Sequence, residues 1–230
     1  MDNSESEKES KYVYVILTST QSKFGKVIRA ITKDTYNHMS IATLDDLSDI
    51  CTFGRRKYST PLNAGFTHER LEYYTLNKYN NIGVKLYKIP VSKNQYDKVV
   101  FEISKIENDT DYMYNLFSAL TYPVLGGFRT YKAYTCVEFV ATILNKSGVI
   151  CIENAHKVTP NEYGNILNNY EYYIGNLEDI LYESETIDNE FFTKDNIKDY
   201  IIINLVTLAK LSVRLGTKIK GKVLRYEVYG

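Results

Sequence analysis

Three cysteines and three histidines are the side chains best suited to nucleophilic and acid–base chemistry in this 230-residue chain. They are not equivalent. Cys51 (ICTF) and Cys151 (VICI) lie in apolar, strand-like runs, where a thiol packs as a small hydrophobe. Cys136 follows a loop with two glycines and several tyrosines (GGFRTYKAYTC) and opens a helical stretch, CVEFVATILNK. A thiol at a helix N-terminus faces unpaired backbone N–H groups and the positive end of the helix dipole, which stabilise the thiolate. The same N–H groups can receive the oxyanion of an acyl-transfer intermediate. Such a nucleophile needs a base. His68 (GFTHER) and His156 (ENAHKV) lie in polar stretches and read as surface residues. His38 heads an alternating run with Ser40 and Ala42 on its face, a position that holds an imidazole at a cleft. Cys136 with His38 is the candidate chemical centre.

The elements that must position this pair follow from local patterns. Strands are predicted over 12–18 (YVYVILT), 38–44 (HMSIATL), 50–55 (ICTFGR) and 82–91, the second and third forming a hairpin across the DDLSD turn. Residues 149–152 (VICI) read as a further short strand. Apolar residues at 24, 27, 28 and 31 predict a helix over 24–33. Ser92 and Gln95 form a capping-box pattern ahead of a helix with Tyr96, Val99, Val100, Ile103 and Ile106 on one face. Short helices are predicted over 112–120 and from Cys136 to Lys146, the second ended by Gly148. Thr159, Pro160 and Glu162 combine an N-cap, proline at the first helical position and a capping box. A long helix is predicted over 194–215, followed by a basic tail.

The chain order is itself informative. A His-headed strand (NHMSIATL), a turn, a strand (ICTFGRR) and, much later, a Cys at a helix start (YTCVEFVATIL) resemble the circularly permuted branch of the papain-like cysteine hydrolases. That branch includes NlpC-related YiiX-like proteins, lecithin retinol acyltransferase relatives and a poxvirus member. In ordinary papain-like enzymes the Cys helix precedes the His strand. TYKAYTCVEFVATIL resembles the family's nucleophile helix, and VTPNEYGNIL with YIGNLEDIL resembles a helical segment of some bacterial members. The resemblance runs over roughly residues 12–182. It implies an α+β fold with a small antiparallel sheet packed against the nucleophile-bearing helix. It also implies a polar residue on the strand after the His strand to orient the imidazole. Thr52 occupies that position, a departure from members carrying His, Glu or Gln, and a water, a backbone carbonyl or Glu69 are the alternatives for the role. Tyr134 and Glu69 are set down as substrate or oxyanion contacts. Glu138 reads as a first-turn acid favoured by the helix dipole.

Composition bounds the function. Hydrophobic residues make up 44% and charged residues 24%, with 28 basic and 28 acidic side chains, so the chain lacks the basic excess of a general nucleic-acid binder. The odd, scattered cysteines argue against a disulfide framework and for a reducing, cytoplasmic setting. No phosphate loop, dinucleotide fingerprint or zinc-finger spacing is present, and no metal or cofactor is expected. The expected organisation is a disordered lead-in (1–10), a permuted papain-like domain (11–182), and an acidic linker with a C-terminal helix and basic tail (183–230). The stretch from Tyr200 to Leu215 reads as too short and too interrupted to span a bilayer. From residue 193 onward eight basic side chains face three acidic ones, a charge that suits an anionic membrane or partner. The expected activity is hydrolysis of a peptide or acyl amide through a Cys136 acyl-enzyme with His38 as base. The alternatives are a lipid acyltransferase or hydrolase at a membrane surface, and a papain-like binding module without catalysis.

Overall fold

The computed structural model describes residues 10–22, 25–26, 29–30, 33–60, 62–76, 78–79, 81–181 and 189–228. Most of the predicted lead-in and of the acidic linker, and much of the helix predicted over 24–33, lie outside these residues.

The chain folds as a mixed α+β structure around a six-stranded antiparallel sheet. The strands are β1 (Lys11–Thr18), β2 (His38–Ala42), β3 (Ile50–Arg55), β4 (Ala64–Glu69), β5 (Gly83–Val91) and β8 (Glu171–Asn176), in the order β4-β3-β2-β1-β5-β8. Two short strands, β6 (Met113–Tyr114) and β7 (Ala133–Tyr134), pair in parallel beside it. The helices among the described residues are α1 (Leu71–Thr75), α2 (Lys93–Glu107), α3 (Leu116–Leu125), α4 (Cys136–Ser147), α5 (Pro160–Ile166), α6 (Asn189–Phe192) and α7 (Ile197–Val228).

Each central strand feeds two cores, because successive side chains leave a strand on opposite faces. Val13, Val15, Leu17, Met39, Ile41, Cys51 and Phe53 meet Val137, Val140, Ile143 and Leu144 of α4 and Val99 and Ile103 of α2. Tyr14, Ile16, Ala42, Ile50, Val84 and Leu86 form the opposite core with Leu71 and Tyr74 of α1. β1 needs no polar face because β2 and β5 flank it and both its surfaces are covered, which its unbroken apolar run encodes. Register places Thr18 opposite His38, and Cys51 opposite both Ile41 and His68.

Several expectations change. The 149–152 run forms no strand, and Cys151 is exposed, not packed. Residues 112–114 join β6, so the helix predicted over 112–120 begins at Leu116 and runs to Leu125. Val100 is exposed, off the buried stripe of α2 formed by Val99, Ile103 and Ile106. The last helix starts at Ile197 and takes up the basic tail as far as Val228. Within it, Ile197–Thr217 is long and apolar enough to cross a membrane, with a mean hydropathy of 1.3. Asn204, Lys210 and Arg214 therefore do not interrupt it as expected.

Candidate active site

Three elements bring functional side chains together: the first residue of β2, the first residue of α4 and the last residue of β4, whose side chain reaches back along the sheet toward His38. α4 starts where it does because Thr135 caps it. Thr135 Oγ1 accepts from the Glu138 amide at 3.2 Å, and Glu138 Oε2 accepts in return from the Thr135 amide at 2.9 Å. Glu138 also accepts from Asn115 Nδ2 at 3.4 Å. It is thus a buried capping acid, as its first-turn position suggested. This cap leaves Cys136, 6% exposed, as the first helical residue with its N–H at the helix mouth.

His38 is the first residue of β2. By alternation it shares its face with Ser40 and Ala42, opposite the face covered by α4. At the end of the strand its ring is bound by Glu69 and feels the Cys136 thiol. Nε2 lies 2.8 Å from Glu69 Oε1. Glu69 Oε2 accepts from Ser40 Oγ at 2.6 Å and from Tyr74 OH at 2.5 Å. The carboxylate crosses β3 to reach the ring, and Gly54 provides the room: a Cβ there would lie 3.8 Å from Glu69 Oε1. A single methyl fits against the carboxylate, and a branched side chain would displace it.

Electrostatics follow from this geometry. Burial works against the His38 cation, but the Glu69 charge and hydrogen bonding with Cys136 and Glu69 outweigh it, raising the pKa from 6.5 to about 10. Burial works likewise against the Glu69 anion. The His38 charge and the hydrogen bonds from His38, Ser40 and Tyr74 prevail and hold this carboxyl below its ordinary range. Burial and the Glu69 charge keep Tyr74 well above the ordinary phenol pKa, so it remains a donor.

Two hollows adjoin the pair. A cleft of about 280 Å³ reaches His38 and Glu69 between Phe53, Leu116, Leu120 and Phe191. A smaller one of about 70 Å³ opens onto Cys136 beside Ser118 and Tyr122. Asn37 and Tyr114 line both. Phe191, in α6 beyond the acidic segment, stacks on Tyr73 at 4.0 Å and forms part of the larger wall.

The structure therefore gathers Cys136, His38 and Glu69, and leaves Thr52 and Tyr134 outside. Thr52 is fully buried, and its hydroxyl donates to the Met39 carbonyl at 2.7 Å, so it fastens β3 to β2 instead of orienting the imidazole. Glu69, set down chiefly as a substrate contact, is the group that binds the ring. Tyr134 packs between Phe53 and Tyr112, at 5.5 and 5.3 Å between ring centroids, and lines neither hollow. Tyr114, Tyr74 and Asn37 are site residues that sequence reasoning missed. Tyr114 was assigned to a helix, and Tyr74 follows a strand whose glycine and polar residues hide it. Asn37 carried one signal, its place immediately before His38. No protein-family model and no characterised protein matches this chain.

Proposed function

We propose that this protein is a thiol hydrolase of the circularly permuted papain-like type, acting on a peptide or acyl-amide bond through a Cys136 acyl-enzyme. One observation carries the proposal: His38 is held at 2.8 Å by a buried carboxylate, and its charge is coupled to the Cys136 thiol at a helix N-terminus. This is the nucleophile, base and orienting-acid arrangement that acyl transfer requires.

The steps follow from the residues. His38 takes the Cys136 proton, giving a thiolate and an imidazolium that Glu69 stabilises. The thiolate attacks the substrate carbonyl, and the oxyanion is received by the Cys136 N–H. Tyr114 is a second donor for it. Burial first, then the neighbouring Cys136 and Glu138 charges, keeps its phenol protonated. The imidazolium protonates the departing amine as the carbon–nitrogen bond breaks. A water, deprotonated by His38, then attacks the thioester, and the thiol leaves with its proton restored. The apolar lining of the larger cleft suits an acyl or hydrophobic side chain on the substrate.

An activated ester, p-nitrophenyl acetate, tests this. A burst of nitrophenolate close to one equivalent is expected, with the acetyl group mapped to Cys136 by peptide mass spectrometry. His38→Ala abolishes the burst. Acetylation confined to the exposed Cys151, or a Cys136 rate indifferent to His38→Ala, overturns the proposal. A second reading, acyl transfer or lipid hydrolysis at a membrane surface, is favoured by the exposed apolar side chains of α7.

A further inference from the structure

A second cluster of chemically capable side chains lies on the face of the β3–β4 pair opposite to Glu69. Cys51 and His68 stand directly opposite each other across the two strands, and Asp49 immediately precedes β3. Cys51 Sγ is 3.7 Å from His68 Nδ1 and 3.8 Å from Asp49 Oδ1, and His68 Nδ1 is 2.5 Å from Asp49 Oδ1. Three donor atoms of different chemistry thus converge on one point. The thiol is buried, whereas His68 and Asp49 are each about half exposed. The other nitrogen of His68 is already engaged, with Nε2 2.8 Å from Glu107 Oε1 at the end of α2.

We infer that Asp49, Cys51 and His68 form a binding site for a borderline-soft divalent cation of the zinc class, with Glu107 orienting the histidine. Bonds of about 2.3 Å to sulfur and about 2.0–2.1 Å to nitrogen or oxygen set the donor spacing in a tetrahedral site. They place sulfur about 3.5 Å from its neighbours, and nitrogen and oxygen about 3.3 Å apart. The two sulfur distances already fit. Only the Asp49–His68 edge must lengthen, which rotation of an exposed carboxylate allows. The thiol and imidazole exclude magnesium and calcium, which take all-oxygen sets. A carboxylate on the second nitrogen of a ligating histidine fixes the tautomer that leaves the first nitrogen for the metal, and Glu107 has that position. Binding releases the Cys51 thiol proton and the His68 Nδ1 proton to solvent. The fourth coordination position faces outward and takes a water. The sequence conceals the site because two of its ligands lie two residues apart and the third comes 17 residues later, joined only by strand pairing. His68 also immediately precedes Glu69, so a cation here would pin the strand that supplies the His38 carboxylate.

Cobalt(II) chloride titrated into reduced, tag-free protein tests the site. Expected is a near-ultraviolet sulfur-to-cobalt charge-transfer band saturating near one equivalent and bleached by added zinc. Cys136→Ser retains the band, while Cys51→Ser and His68→Ala lose it. Glu107→Ala weakens zinc affinity by about 10-fold or more. His68 is half exposed, so His68→Ala decides the matter if Cys51→Ser does not fold. Absence of the band in the folded protein, its survival in His68→Ala, or its loss in Cys136→Ser or Cys151→Ser overturns the inference.

Discussion

Glu69 and Thr52 divide between them the two tasks a polar residue near the His38 imidazole can perform. Thr52 follows the Ile41–Cys51 pair on β3, and its hydroxyl is spent on the buried Met39 carbonyl. Glu69 lies one strand further away, yet its longer side chain crosses at Gly54 and places a full charge on Nε2. Only a charge can offset the burial that disfavours the imidazolium, so the two residues differ in what their loss does. Glu69→Gln keeps an acceptor but removes the charge, and His38 then titrates well below about 10. The expected result is at least roughly tenfold slower alkylation of Cys136 by iodoacetamide at neutral pH, one pKa unit being about 1.4 kcal/mol. Thr52→Val leaves that rate unchanged and instead lowers stability by about 1–3 kcal/mol. The same charge makes stability pH-dependent. A His38 pKa raised from 6.5 to about 10 contributes fully below 6.5 and is lost as pH rises through about 10. Glu69, shifted downward, contributes above its ordinary range and loses its contribution in acid. Denaturant midpoints measured across pH should therefore show the wild type's advantage over Glu69→Gln shrinking between pH 6.5 and 10. An advantage that stays constant or grows would refute the charged pair.

At the scale of elements, what could be read in the sequence depended on whether one element carried its own signal. α4 did: the Thr135–Glu138 box, the apolar face and Gly148 at φ 69° bound it at both ends, and the structure places it at Cys136–Ser147. β3 and the capped starts of α2 and α5 were legible for the same reason. β4 was not, because AGFTHE mixes glycine with polar residues and gains its order from pairing with β3 along its whole length. β8, at the sheet edge with mostly exposed side chains, lacks a buried face to mark it. The site divides along the same line. Cys136 and His38 stand at the starts of legible elements, whereas Glu69 ends a strand that only tertiary pairing defines. The α4 cap also offers a test at this scale, because it both stabilises the helix and fixes where the thiol sits. Thr135→Ala should cost about 1 kcal/mol in stability and slow Cys136 alkylation, with Thr135→Ser restoring both. If Thr135→Ala destabilises the fold but leaves alkylation untouched, the helix start does not position the nucleophile.

Across the whole molecule, α7 stands apart in how little of it the rest of the fold uses. One side is docked: Leu211 packs against Met113 and Ala133, and Arg214 donates to the carbonyls of Asp111 and Lys132, each at 2.9 Å. Asp195, just before the helix, holds Lys57 at 2.7 Å. Buried Leu211 and the partly buried positions 203, 204, 207, 208 and 214–216 recur at helical spacing and mark this inner side. The outer side carries Ile201, Ile202, Leu205, Val206 and Val213, all exposed. A helix that spent its apolar residues only on the docked side would be polar outside, and this one is not. Lys218, Lys220, Lys222 and Arg225 follow in sequence, the charge that an anionic lipid surface attracts. These features together favour the membrane-surface reading of the substrate, in which α7 brings the Cys136 cleft to its acyl donor. Pelleting with vesicles of mixed phosphatidylcholine and phosphatidylserine should therefore capture the protein, and capture should weaken as salt rises. Ile201→Glu with Leu205→Glu changes only exposed positions, so the fold survives while capture falls by at least about tenfold. Nitrophenyl ester turnover in solution should be unaffected by that pair of substitutions. Wild-type protein that stays in the supernatant, or a double variant captured equally well, would assign the outer face of α7 to something other than lipid and leave the peptide or acyl-amide reading as the one the cleft supports.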